Sequence, residues 1–179
     1  MQLNLQPILE NENLALIPLE SNDFSSLYRI ASDPNIWTQH PNNDRWKMEK
    51  FDIFFSNAIQ SGGAFKIMDN LSGKIIGSTR FYNYRESDNS IFIGYTFYAV
   101  EYWGTGTNKL VKQMMLDYIF QYVDIVFFHI GVNNTRSQIA ISKIYAEKIA
   151  EEEVYYAGEA SRLNFVYAIS RERWMNIRL

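Results

Sequence analysis

The sequence predicts an α+β protein, a mixed, largely antiparallel central sheet flanked by helices. Three observations predict it. Between Phe65 and Tyr98 apolar strands follow one another through short turns, the hairpin order of antiparallel pairing. From Ile93 the pattern changes to strand, then a turn with Gly104 and Gly106 in G-x-G spacing, then an amphipathic helix. Beyond that helix an apolar run, a second helix and two closing strands continue the alternation. No linker, internal repeat or low-complexity segment interrupts the chain, so residues 1–179 read as a single domain.

Leu14–Leu19 is the first strand. Ser21, Asn22 and Asp23 supply capping chemistry for a helix running toward Ala31. Asp33-Pro34 ends it, because a residue before proline is pushed out of the α region. A second helix spans about Met48 to Gln60, and Gly62-Gly63 stops it. Strands Phe65–Met68, Ile75–Tyr84 and Ser90–Tyr98 are separated by the turns Asn70–Gly73 and RESDN (Arg85–Asn89). The central helix after Gly106 carries Val111, Met114, Met115, Tyr118 and Tyr122 on one face. Strand Ile125–Val132, a helix over Thr135–Lys148, and strands near Glu153–Tyr156 and Leu163–Ile169 follow. Ser170 opens a short terminal helix.

Composition excludes several function classes. A net charge of −3 speaks against a nonspecific nucleic-acid surface. The absence of cysteine excludes a disulfide framework, a thiolate nucleophile and a thiolate zinc site. The two histidines, His40 and His129, stand far apart in sequence, so no metal site is expected. The first residues lack a basic start and a long apolar run, and no segment reads as a signal peptide or a membrane span. A cytoplasmic location is the expectation. An aromatic content of 16% suggests a ring-lined interior or cleft.

The turn at Gly104 and Gly106 carries the chemistry. Glycines here remove Cβ atoms where strand passes into helix, leaving backbone N–H groups unpaired. The helix adds the positive end of its dipole, which makes an anion cradle suited to phosphate or pyrophosphate. A dinucleotide-binding unit would place an acidic residue at the end of the next strand, and IVFFHIGV ends without one. A Walker-type loop would need Gly-Lys-Ser/Thr, where Gly-Thr-Asn stands.

EYWGTG, then a helix, an apolar strand and NNTRSQIAISKI, resembles the acyl-CoA N-acyltransferases of the GNAT superfamily, most closely the RimJ/RimL-like branch. ASDPNIWTQHP, GKIIGSTRFYNY and the closing VYAISRERW resemble the same branch, so the likeness runs along nearly the whole chain. It implies acetyl-CoA as cosubstrate, with its pyrophosphate on the amides of Trp103, Gly104, Thr105, Gly106 and Thr107, and with Asn108 beside them. It further implies that the strand before the cradle parts from its neighbour and leaves amides at Phe97, Tyr98 and Ala99 for the acyl carbonyl and pantetheine arm. Asn134 matches a family CoA-binding Asn and is also a natural helix N-cap. Ser137 matches a family Ser three residues on. The resemblance offers Ser137 as proton donor to the CoA thiolate; the Tyr that many relatives use for that role is absent, Ile141 standing in its place. The Ser137 hydroxyl can equally bond back to the backbone. Tyr145 falls where the family usually has Gly. Lys109 and Lys112 are candidates to neutralise the 3′-phosphate, or simply lie on a solvated face. The resemblance implies that Trp37, His40 and Trp46 lie in a segment forming one wall of the acceptor cleft, with Phe92 also in the cleft. Relatives often carry a base as Glu in E-I-G-Y; this chain has Phe92 there, in IFIGY. Glu86, Asp88 and Glu101 are nearby carboxylates in turns.

The expected function is transfer of the acetyl group of acetyl-CoA to a primary amine, a protein N-terminus or a small amine, directly in a ternary complex. No metal, nucleic acid or membrane is expected, and a homodimer stays open. The alternatives are a noncatalytic CoA-binding or sensing module of the same fold and a structural subunit whose cleft is closed by aromatics.

Overall fold

The computed structural model describes residues 3–155 and 160–178. Its strands are β1 (Leu9–Glu10), β2 (Leu14–Pro18), β3 (Ala64–Asp69), β4 (Lys74–Arg85), β5 (Ser90–Tyr98), β6 (Ile125–Gly131), β7 (Glu147–Val154) and β8 (Arg162–Ser170). They form one sheet in the order β1-β2-β3-β4-β5-β6-β8-β7. Every neighbouring pair is antiparallel except β5 and β6. The helices are α1 (Phe24–Ala31), α2 (Met48–Gln60), α3 (Thr107–Ile119), α4 (Thr135–Ser142) and α5 (Arg171–Arg178). The fold class matches the expectation.

Local chemistry sets the element ends. A 3₁₀ turn, Ser21–Asp23, precedes α1, and the Asp23 carboxylate accepts the Glu20 N–H at 2.9 Å in a capping box. Lys66 on β3 donates to the same carboxylate at 2.9 Å, fixing the helix start against the sheet. α1 and α2 bury Leu27, Ala31, Phe51, Phe54, Phe55 and Ala58 with Trp37 and Phe97 on one face of the sheet. On the other face, Val111, Met115, Leu116 and Ile119 of α3 and Trp174 of α5 pack on Phe81, Ile91, Ile93, Val126 and Phe128. Each buried Val, Leu, Ile, Phe or Met among them contributes about 1.5–3 kcal/mol on leaving water.

Three expectations are corrected here. The inward face of α3 is Val111, Lys112, Met115, Leu116 and Ile119; Met114, Tyr118 and Tyr122 pack half-buried at its border. Tyr118 is drawn aside because its hydroxyl donates to the Asn4 carbonyl at 2.7 Å. α4 ends at Ser142, not near Lys148, since Tyr145 takes φ +64°, a left-handed conformation that no helix can contain. The residues after it start β7 at Glu147, earlier than expected; the expected end of that strand, Tyr156, lies outside the described residues.

β5 and β6 share only the register positions Ser90↔Ile125, Ile91↔Val126 and Phe92↔Phe127. Beyond Phe92, β5 stays with β4 as far as Gly77↔Tyr98, and β6 stays with β8 as far as Gly131↔Asn164. The strands therefore part at Ile93 and leave a fork. Its floor lies between the two helical layers, and its mouth faces the start of α3.

Candidate active site

The cradle forms at the fork's mouth. A 3₁₀ turn, Val100–Tyr102, leads to Trp103, then Gly104 and Gly106 adopt φ +74° and +88°. L-residues with a Cβ disfavour that region by about 1–2 kcal/mol, which is why glycine stands there. A Cβ built on either glycine meets nothing within 4 Å, so the space over both is open. Gly106 is the N-cap of α3 and gives no side-chain cap. The first intrahelical bond from this end is Leu110 N–H to the Gly106 carbonyl, at 3.2 Å. Of the first-turn amides ahead of it, the Thr107 N–H donates to the Thr105 hydroxyl at 3.4 Å, and those of Asn108 and Lys109 carry the positive end of the dipole, a donor set suited to an anion. Thr105 braces the loop, its hydroxyl donating to the Tyr102 carbonyl at 2.8 Å and lying 2.8 Å from the Thr107 hydroxyl.

The other predicted cofactor residues are placed unevenly. Tyr98 is buried, and its hydroxyl donates to the Asn108 side-chain oxygen at 3.1 Å, linking β5 to α3; burial pushes this phenol's pKa up. Asn108 is thus committed within the protein through that oxygen. The Ala99 amide is not free for a ligand, because it donates to the Ile76 carbonyl at 2.8 Å. The Phe97 ring packs into the α1/α2 layer, 5.3 Å from Trp37 between ring centres. Lys109 is exposed on α3. Lys112 does not reach outward toward a phosphate: it is 3% exposed, and its ammonium donates to Thr96 and Thr79 hydroxyls at 2.7 and 3.2 Å. Burial lowers its pKa to about 7.

Across the fork, Asn134 caps α4, its side-chain oxygen accepting the Ser137 N–H at 3.1 Å. The Ser137 hydroxyl has no hydrogen-bond partner among the described residues. Arg136, which the sequence reading gave no role, joins the two banks. Its guanidinium sits 3.7 Å from the Trp103 ring centre and donates to the Ile36 carbonyl at 3.2 Å. Its backbone N–H is taken by the Gln39 side chain at 3.0 Å. The segment carrying Trp37 and His40 is thereby held over the start of α4.

Trp37 and His40 do not line an open wall. Trp37 is buried, donating its ring N–H to the Ala31 carbonyl at 2.7 Å. His40 stands edge-on to it, accepting the Asn42 N–H at 3.0 Å beside Arg45; burial, then that guanidinium, hold its pKa well below the ordinary imidazole value. Phe92 is covered by Tyr82, Phe127 and His129, with ring centres 5.3, 5.3 and 4.4 Å away. Next to it, Thr79 of β4 faces both Tyr95 and Thr96, a bulge in which Tyr95 has φ +53°. Arg80 stacks 4.1 Å from the Tyr95 ring centre and holds this conformation in place; burial brings its pKa down to about 10.

The turn carboxylates offer little. Asp88 accepts from the Ser90 hydroxyl at 2.6 Å and pairs with Arg85 at 2.8 Å, while Glu86 and Glu101 are exposed. Among the described residues no group of His, Cys, Asp and Glu is arranged to hold a metal, and no helix is long and apolar enough to cross a membrane.

A domain model described as "Acetyltransferase (GNAT) domain" matches residues 13–146. No curated protein matches the chain's sequence significantly. Among solved structures the chain is similar to an acetyltransferase of the GNAT family from Bacillus anthracis, at 18% identity and TM-score 0.75, over 93% of this chain and 99% of that one. It is also similar to a GCN5-related N-acetyltransferase from Brucella melitensis, at 16% identity and TM-score 0.81, over 95% and 81%. A third is the spermidine N-acetyltransferase from Vibrio cholerae in complex with CoA and spermine, at 17% identity and TM-score 0.70, over 93% and 100%. At these identities the structural likeness speaks for the fold.

Proposed function

The chain belongs to the GNAT acetyltransferase domain family, and from that premise we propose that it moves the acetyl group of acetyl-CoA onto a primary amine. The acceptor is a protein N-terminus or a small amine, within the RimJ/RimL-like branch, and the protein works in the cytoplasm as a single domain. One observation carries the reading. Two left-handed glycines open onto the uncapped N-terminus of α3 at the mouth of a parted parallel strand pair. That arrangement offers several backbone donors to a phosphate and a slot between strands for a linear arm.

The chain's own residues then have definite work. Amides of Gly104, Thr105 and Gly106, with those of the first turn of α3, hold the pyrophosphate; of the expected donors, the Trp103 N–H is already taken by the Val100 carbonyl at 3.0 Å and the Thr107 N–H faces the Thr105 hydroxyl at 3.4 Å. The β5 edge beyond Phe92, free of β6, is where backbone donors polarise the thioester carbonyl. Ser137, whose hydroxyl is uncommitted, stands on the opposite bank as proton donor to the leaving thiolate. With no cysteine in the chain, the amine attacks the thioester directly. The V. cholerae neighbour described with CoA and spermine supports including polyamines among acceptors.

Thermal stabilisation by CoA, followed by thiol release with a panel of amines, tests the proposal. Stabilisation and release with at least one amine are expected. Stabilisation without release from any amine would leave a CoA-binding module in its place.

A further inference from the structure

The reaction needs a group that takes a proton from the incoming ammonium, and the buried Phe92 ring beside the fork carries no such group. The neighbouring residues hold a different set of groups. Tyr82 lies opposite Phe92 on β4. Its ring passes over Gly94, so closely that a Cβ there would come within 3.0 Å of a ring carbon and 3.2 Å of the hydroxyl. Gly94 is just past the last β5–β6 pairing, so the Tyr82 hydroxyl lies at the floor of the fork. That hydroxyl is 3.2 Å from Nδ1 of His129 on β6. The other ring nitrogen, Nε2, is hydrogen-bonded to the Glu152 carboxylate, which reaches across β8 from β7. His129 is largely covered, its side chain 7% exposed, while Glu152 is half exposed.

We propose, resting on the acetyltransferase reading above, that Tyr82, His129 and Glu152 form the proton-accepting relay for the acceptor amine. The geometry fixes the direction. A carboxylate at Nε2 requires N–H there, so Nδ1 is the acceptor and the tyrosine O–H donates to it. The ammonium gives one proton to the Tyr82 oxygen as the Tyr82 proton passes to Nδ1. One N–H bond and one O–H bond break, and one O–H and one N–H form. His129 becomes an imidazolium, held by the Glu152 charge. The neutral amine then attacks the thioester carbon, the C–S bond breaks, and the second amine proton goes to the thiolate through Ser137. The sum is ammonium plus thioester plus imidazole giving amide plus thiol plus imidazolium. Tyr82 is the catalytic residue that touches the amine; His129 and Glu152 act through it.

The charges around His129 fit this use. Burial lowers its pKa, Glu152 opposes that, and Arg85 adds to it. Arg85 reaches it from β4, lying over the Phe92 and Phe127 rings at 5.4 and 4.9 Å. The facing residues on β8, Asn164 and Val166, are uncharged. The imidazole is therefore neutral, and able to accept, at physiological pH.

The test uses pH–rate profiles of kcat/KM for the parent, Tyr82→Phe, His129→Gln and Glu152→Gln, with acetyl-CoA saturating and with spermidine and glycinamide in addition to the best amine of the panel. The parent should lose activity below one common pH, under the ordinary imidazole value and shared by amines of different basicity. Tyr82→Phe and His129→Gln should lower kcat/KM by about 10²-fold and abolish that shared limb, with CoA affinity kept. Glu152→Gln, on a half-exposed side chain that leaves packing intact, should move the limb down by about one pH unit. A parent limb that stays in place in both His129→Gln and Glu152→Gln, with rates within about threefold of the parent, overturns the relay alone. A parent that releases no thiol with any amine overturns both the relay and the reading it rests on.

Discussion

The Arg136 guanidinium lies 3.7 Å above the Trp103 ring, so the first turn of α4 is clasped to the cradle before α3. These residues stand on opposite banks of the fork, and the contact spans it. A cation over an indole is worth about 0.5–1 kcal/mol when exposed and about 2 when desolvated. Arg136 is partly covered, and burial lowers its pKa. A double-mutant cycle of Arg136→Ala and Trp103→Leu, read by urea unfolding, should give a coupling of about 1 kcal/mol. Strict additivity would show that the stacking does not hold the banks together.

Ser137→Ala should lower turnover while leaving acetyl-CoA affinity nearly unchanged. The hydroxyl has no partner among the described residues, so its removal should cost little stability, and the kinetic effect is clean. The Asn134 cap, which holds the Ser137 amide rather than its hydroxyl, survives the change. Turnover within about threefold of the parent, under about 1 kcal/mol in barrier, would make the residue merely structural.

Gly106→Val acts on two quantities at once. At φ +88° any β-branched residue is strained, so folding stability should fall by about 1–2 kcal/mol. The added Cβ meets no protein atom within 4 Å, and what it obstructs is the approach of a ligand. CoA affinity should therefore fall more than tenfold, about 1.4 kcal/mol. Calorimetric titration beside urea unfolding separates the two, and unchanged affinity in a folded variant would remove the cradle assignment.

Lys112 gives stability a pH dependence. Its pKa is about 7 folded and 10.5 in the ordinary state. Below about 7 both states hold the proton, and above 10.5 neither does. Between them the unfolded chain binds the extra proton, so stability rises with pH across that window. Lys112→Met should remove this rise, and at neutral pH should be more stable than the parent by about 1 kcal/mol or more. Thr79 and Thr96, already 2.8 Å apart, keep each other as partners. Unfolding midpoints from pH 6 to pH 10 check it; a parent-minus-variant difference that does not change with pH would mean the amine stays charged when folded.

How much was legible depended on whether a signal was local. α2 and β5 have the expected ends, because Gly62-Gly63 and the turn at Asn89 are read within a few residues. The glycine turn before α3 was legible for the same reason, since Gly104 and Gly106 stand at its start. α4 was read too long because Ser137, Ala140, Ile141 and Ile144 keep a helix-like spacing, although the helix ends at Ser142 and Tyr145 is left-handed. Its place as a family glycine position was visible, but the backbone angle that explains it was not. Lys112 looked like a surface lysine, since nothing near it in sequence announces the Thr79–Thr96 pair. His129 looked isolated for the same kind of reason. Its carboxylate, Glu152, is 23 residues away and is brought near only by the strand order β6-β8-β7.

The three-rung seam between β5 and β6 also divides the chain into two unequal bodies. Apart from those three positions, β1 to β5 pair only with one another, and β6, β7 and β8 pair only among themselves. A backbone ladder this short is where local opening should start, at a lower free energy than global unfolding. A ligand gripping both the α3 start and the α4 start would act as a staple across that seam, raising the opening free energy by RT ln(1 + [L]/Kd). Amide hydrogen exchange should then be faster in β6 than in β3 and β4 of the free protein, and CoA should slow β6 selectively. The fork between β5 and β6 is, on this account, also the hinge line along which the molecule breathes.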